Sequence, residues 1–378
     1  MNYICPTTLK HLVLRRFDHT RAITSISERR KILYDLLCSL VMLETLSLED
    51  GLHYKSPLTY GQTSMQPVAP SITLPCLHSL HVLSLTPYQP MAGAKFICSF
   101  NLLSLSQLRI TSRCTNSDLD DMEARAIGVA AGQQLASMSA RGGPIHSLCV
   151  KYENNLGEDL RPAIVGWSKR VGASFHRPLD ILMNNLVSTP PALDIICLHF
   201  SLLCIINRVV PYLPLEDVET LILDDYVETL TLDGFCELPF VSSIVSSGGV
   251  TRMEVLGQAE NVRYLSVSGA TAAELSAVLC PEDDTSRPLF PKLRQVKLVG
   301  VAFNRVFVRL GHLTGKLPEQ DWATEFVGAL RARTSLDRSL RLEKLYIEDA
   351  EGVTSEMVTR LKECVDEVVW DGRGVTGT

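Results

Sequence analysis

A short apolar signature, Leu-x-x-Leu-x-Leu with aliphatic substitutions, recurs along the chain and constrains the fold more than any other feature. Its first copies are Leu9, Leu12, Leu14; Leu43, Leu46, Leu48; Leu77, Leu80, Val82; and Leu105, Leu108, Ile110. It returns as Ile145, Leu148, Val150; Val218, Leu221, Leu223; and Val262, Leu265, Val267. The last two are Leu293, Val296, Leu298 and Leu342, Leu345, Ile347. The final two positions of each copy lie two residues apart and share one face of a strand, while the first turns inward from the preceding bend. Such a strand buries one face only. Stacked in parallel with its copies, it adds to a continuous interior.

Between the copies the apolar period becomes helical. Ile26, Ile32, Leu33, Leu36, Leu37 and Leu40 form one stripe, with charges opposite. The segment "NSDLDDMEARAIGVAAGQQLASM" opens on polar cap candidates, Asn116, Ser117 and Asp118. Thr271 and Glu274 have capping-box spacing before another helix, and "DWATEFVGALRAR" and "TSEMVTRLKECV" supply two more. Strand and helix in alternation, with right-handed crossovers, predict an α/β fold. The specific expectation is an irregular leucine-rich-repeat solenoid, a horseshoe with a parallel sheet on its concave face and helices on its convex face.

Residues 1–378 read as a single domain of about nine or ten repeats, the tenth being the poorly formed segment Leu179 to Met183. Leu9, Leu43 and Leu77 are 34 residues apart, against about 20–29 for short leucine-rich repeats, which implies full helices between strands. Residues 53–75, rich in Ser, Thr and Pro, read as a mobile loop, and residues 281–291 as a shorter one. The apolar stretch Ile195 to Val210 reads as a buried helix, since His199, Asn207 and Arg208 interrupt it short of a membrane span. Residues 353–378 read as a capping helix and a terminal strand, with Trp370 as an apolar plug.

A net charge of −6 argues against nucleic-acid binding, since the longest basic cluster, Arg29-Arg30-Lys31, reads as the solvated side of a helix, and the sequence gives no reason to expect a membrane partner. Eleven scattered cysteines with no C-x-x-C pair fit reduced thiols in a cytoplasmic or nuclear protein. The N-terminal residues lack the charged and apolar regions of a signal peptide.

Motifs that carry chemistry are approximated but not met. "GHLTGKL" at 311–317 has its glycines one residue too close for a phosphate loop, and Leu317 follows the lysine where Ser or Thr is needed. His78 and His81 are three apart, which on a strand sends them to opposite faces and away from a shared metal. His146 and Cys149 lack an orienting third group, so Cys149 reads as a semi-exposed strand cysteine. Acidic turns after the repeat strands read as solvated carboxylates. No catalytic residue, metal or cofactor is expected, and the chain does not read as an enzyme; a thiol-dependent enzyme using Cys149 is the remote alternative.

The residues alternating with the buried set form the expected binding wall. Ten of them are candidate partner-binding residues: Arg15, Glu49, His81, Arg109, Lys151, Asp224, Tyr264, Lys297, Tyr346 and Glu348. Tyr264, Tyr346 and Arg109 are the expected anchors, because Tyr and Arg are enriched at binding hot spots.

"LPCLHSLHVLSL", "LFPKLRQVKLVGVAF" and the closing "LEKLYIEDAEGVTSEMVTRLKECVDEVVWDG" resemble the leucine-rich-repeat region of F-box-like proteins of mushroom-forming (basidiomycete) fungi. The resemblance spans essentially the whole chain. It implies a protein-protein interaction scaffold that presents substrate as the recognition part of an F-box-type ubiquitin ligase receptor. A cullin-type ligase adaptor is then a partner only if an F-box lies upstream. A repeat strand at Leu9 leaves no room for one, and "ELPFVSSIVSS" at 237–247 echoes an F-box opening without its helices. The short lead-in is a poor solenoid cap, so the expectation is a truncated natural chain. A free-standing scaffold or inhibitor without a ligase connection is the alternative.

Overall fold

The computed structural model describes residues 8–15, 26–49, 72–84, 94, 97–113, 117–153, 161–171, 174–198, 202–224, 255–269, 272, 275–279, 288–303 and 322–373. The chain begins with β1 (His11–Arg15), α1 (Ile26–Ser39) and β2 (Thr45–Glu49). Four strands follow: β3 (Ile72–Thr73), β4 (Ser79–Ser84), β5 (Phe100–Asn101) and β6 (Gln107–Arg113). Helix α2 (Ser117–Ser139) leads to β7 (Ser147–Glu153) and β8 (Arg161–Trp167). Next come α3 (Leu179–Val187), β9 (Leu193–Leu198), α4 (Leu202–Arg208) and β10 (Thr220–Asp224). The final third holds β11 (Tyr264–Ser268), α5 (Leu275–Leu279), β12 (Gln295–Val299) and α6 (Trp322–Leu336). It closes with β13 (Lys344–Glu348), α7 (Ser355–Cys364) and β14 (Glu367–Trp370).

The fold is mixed α/β with a large, mostly parallel sheet. The chain divides into two compact units. The first takes Met1–Ile145, Glu153–Ser168 and Pro190–Pro214; the second takes His146–Tyr152, Lys169–Thr189 and Leu215–Thr378.

In the first unit the strands run β1-β2-β4-β6-β9-β8. The motif positions lie rung on rung: Leu12 pairs with Leu46, Leu46 with Leu80 and Leu80 with Leu108, and Leu14 aligns with Leu48, Val82 and Ile110. The register follows from the pattern, because a slip by one residue would turn every leucine to the opposite face. All these pairs are parallel; only β8 runs antiparallel, against β9.

The second unit runs β7-β10-β11-β12-β13-β14, all parallel. Leu148, Leu221, Leu265, Val296 and Leu345 form one aligned row, and Val150, Leu223, Val267, Leu298 and Ile347 the next. Both rows are buried. Behind them Trp322 stacks on Phe326 at 5.1 Å and meets Phe303 edge-on at 4.8 Å.

The first motif position is buried from the second copy to the ninth, from Leu43 to Leu342. A tight turn recurs there. The amides of Leu43, Leu77, Val218, Val262 and Leu293 each donate to the carbonyl three residues earlier. The carbonyl of the next residue then accepts two successive amides of the following rung. Lys10, Glu44 and His78 do this in the first unit, and His146, Glu219, Arg263 and Arg294 in the second. This repetition satisfies the main chain at these bends into the strands.

Three expectations are corrected. Ile195 to Val210 is not one helix but β9 followed by α4. Pro190 and Pro191 start the segment extended, and Ile195 and Ile196 are β-branched in a strand paired on both edges. Leu179 to Met183 opens helix α3 instead of a tenth repeat strand; Pro178 at its N-cap and buried Leu182 and Leu186, four apart, give the helical pattern. At the end of the expected 53–75 loop, Ile72 and Thr73 form β3, paired with β5. Leu74 of that segment is buried, and residues 53–71, "ELPFVSSIVSS", "GHLTGKL", Thr271 and Glu274 lie outside the described residues. The expected capping helix and terminal strand are α7 and β14, with Thr354 Oγ1 accepting from the Met357 amide at the helix start.

Candidate functional site

Alternation along each strand sends the residues between the buried leucines to the opposite face, and in the first unit that face is open. Its central row is Val13, Ser47, His81, Arg109 and Asp194, one residue from each of five neighbouring strands. Val13 is 54% exposed. The Arg15 and Arg109 side chains also reach solvent, each held by a carboxylate on the next strand: Arg15 Nε to Glu49 at 2.7 Å and Arg109 Nε to Asp194 at 3.1 Å. His81 is half-buried between them, with Nδ1 3.5 Å from Ser47 Oγ and Nε2 sealed without a hydrogen-bond partner. Burial lowers its pKa first, the neighbouring Arg109 cation lowers it further, and Glu49 partly opposes them.

Asp194 was hidden in the sequence because the residues that follow it, Ile195 onward, read as a helix rather than as its strand. Four of the ten candidate residues, Arg15, Glu49, His81 and Arg109, stand together on this face.

The equivalent face of the second unit is covered. Its central row is Cys149, Ile222, Ser266, Lys297, Tyr346 and Val369. The first five are buried, and Lys297 has no exposed surface at all. The cover is the segment preceding α3. Phe175, itself fully buried, sets its ring 5.3 Å from Tyr264 and 6.1 Å from Tyr346. Lys297 Nζ lies 5.5 Å from the Phe175 centroid and 5.6 Å from the Tyr346 centroid, pairs with Glu348 at 3.2 Å and donates to the Arg177 carbonyl.

Ser147 Oγ donates to the Lys169 carbonyl at 2.7 Å, and Arg170 pairs with Glu219 at 3.3 Å. Tyr264 and Tyr346, expected to stand free as anchors, therefore pack on the chain's own Phe175. Burial raises the Tyr346 pKa, with Lys344 opposing and Glu367, Glu348 and Tyr264 adding to the rise. Lys151 aligns with Asp224, which accepts from Ser268 Oγ at 2.8 Å, at the edge of the covered row.

Phe175 escaped sequence reasoning. The one local signal is an aromatic residue between small residues and Pro178. Cys149 is fully buried rather than semi-exposed, and His146 Nδ1 donates to the Asp217 carbonyl at 3.1 Å. His78 and His81 do diverge, His78 donating to the Ser104 carbonyl at 3.0 Å. Among the described residues, no helix is long and apolar enough to cross a membrane.

Comparison with known protein families finds no match, and comparison with curated proteins finds none either.

Proposed function

We propose that this chain is a leucine-rich-repeat scaffold for protein recognition, and that the resemblance in its sequence points to the substrate-recognition part of an F-box-type ubiquitin ligase receptor. The observation that carries the reading is the repeated rung: one tight turn, one shared carbonyl and one aligned pair of buried aliphatics, copied from strand to strand. Each added rung of a leucine-rich-repeat solenoid stabilises its neighbours and extends a flat row of side chains in step with them. The open row of the first unit offers an apolar residue, two arginines and two carboxylates within a few strands. That mixture suits a protein surface with charges of both signs.

The test reverses charge at the two exposed arginines. The double variant Arg15→Glu, Arg109→Glu is expected to lose a protein captured by the unaltered chain from extracts of the source cells, with the melting temperature changed by no more than a few degrees. Each reversal gives up a surface ion pair, to Glu49 or to Asp194, and costs about 1 kcal/mol in stability. If the unaltered chain retains no protein, or both chains retain the same set, this face is not the recognition surface. Co-capture of a cullin adaptor separates a ligase receptor from a free-standing scaffold.

A further inference from the structure

We infer that residues 169–171 and 174–177 act as an internal ligand, occupying a second protein-binding face that a partner's aromatic peptide segment takes over when it displaces them. The inference rests on the protein-recognition reading and names the chemistry of its second surface.

The covered face has the composition of a surface and not of a core. Ser147, Thr220, Ser266 and Lys297 all lie on it with almost no exposure. Thr220 Oγ1 and Ser266 Oγ are buried without a hydrogen-bond partner. Thr220 sits in register between Ser147 and Tyr264, and Ser266 between Ile222 and Lys297, so both lie among residues the segment touches. A permanently closed interior would carry apolar side chains here, because an unpartnered hydroxyl loses its water and gains nothing. A face that opens regains partners for these groups.

The segment itself shows what the face accepts. It reaches β7, β11, β12 and β13, and its described residues form no strand pairing with the sheet. It is held by one aromatic ring set against Tyr264, Tyr346 and the Lys297 ammonium, and by main-chain carbonyls that accept from Ser147 and Lys297. Outside these, the Arg170 pair with Glu219 is its one ion pair among the described residues. An aromatic face beside an ammonium, with carbonyls in reach of two donors, is a requirement that any extended peptide with a Phe or Tyr can meet. Thr220 and Ser266 remain for that peptide's further polar groups.

The test uses the full chain and a synthetic peptide of its residues 169–189. In hydrogen exchange, amides of 174–187 in the unaltered chain are expected to become deuterated about ten-fold or more faster than those of β12 and β13, by opening that leaves the sheet intact. A labelled peptide is expected to bind the Phe175→Ala chain at least about ten-fold more tightly than the unaltered chain, and the same peptide with Phe175→Ala to lose that gain. Exchange of 174–187 only together with β12 and β13 would overturn the inference. So would a folded Phe175→Ala chain that binds the peptide no better. Should that variant not fold, exchange in the unaltered chain decides alone. Failure of the recognition reading looks different: opening and peptide binding persist while no cellular protein is retained.

Discussion

His81 shows how one residue responds to the row it stands in. Its imidazole is half-buried beside Arg109, so the folded protein favours the neutral ring and its pKa falls below the ordinary 6.5. The sign follows from linkage: the unfolded chain binds a proton more readily than the folded one, so stability present above pH 6.5 is lost as pH drops below it. The unaltered protein is expected to melt at a lower temperature at pH 5.5 than at pH 7.5, and His81→Gln, which cannot titrate, is expected to lose less over that interval. Equal losses in the two proteins would mean that His81 does not sense the proton. Arg333 is the opposite case, a buried guanidinium that stays charged. It donates to the carbonyls of Leu340, Leu289 and Phe290, and burial pulls its pKa down to about 10. Phe290 holds a positive φ of 52°, and Arg333 fixes its carbonyl in that turn.

Helices divide by what lies against their glycines. Gly132 in α2 faces the turn after α4, where an added Cβ would overlap the Tyr212 carbonyl oxygen. Gly128, one turn earlier, would meet Arg208 O and Val209 Cα at 2.9 Å. Gly328 in α6 has nothing near its position. One substitution therefore has opposite signs at two places. Gly328→Ala is expected to stabilise by about 0.5–1 kcal/mol, the helix-propensity gain. Gly132→Ala is expected to destabilise by about 1–3 kcal/mol, because a backbone oxygen cannot rotate aside as a side chain can. Urea unfolding of the two variants measures both, and a stabilised Gly132→Ala would show that α2 and the turn do not approach closely.

The same element scale shows what the sequence could and could not reveal. The spaced aliphatics alternate with other residues on nine strands, so these strands and their register were legible, whether or not their second face is covered. β9 is apolar on successive residues, a pattern that strand and helix share, and Asp194 was lost with it. The ten candidate residues were placed correctly as alternates on their strands. Whether water or the chain's own Phe175 meets them depends on a pairing across more than a hundred residues, from 175 to 297 and 346, which no local pattern records.

At the scale of the molecule, the chain's route matters more than any contact. It enters the second unit at 146, returns to the first at 153, and repeats the exchange at 169 and 190 before settling at 215. The residues after 215 hold most of the second unit's strands, and repeat arrays often survive shortening because each rung needs only its neighbours. Here that expectation meets two obstacles. A chain cut to residues 215–378 lacks β7, which leaves the β10 edge unpaired, and an open edge of apolar strand invites association. It also lacks Phe175, so Tyr264, Tyr346 and Lys297 are uncovered at once. The cut chain is expected to associate at micromolar concentration and to lose the cooperative melt of the full chain, followed by light scattering and circular dichroism. Adding the 169–189 peptide is expected to restore part of the melt but not to prevent edge association, because it supplies the cover without the strand. A monomeric fragment melting at the full chain's temperature would show that neither β7 nor the covering segment is needed to complete this sheet.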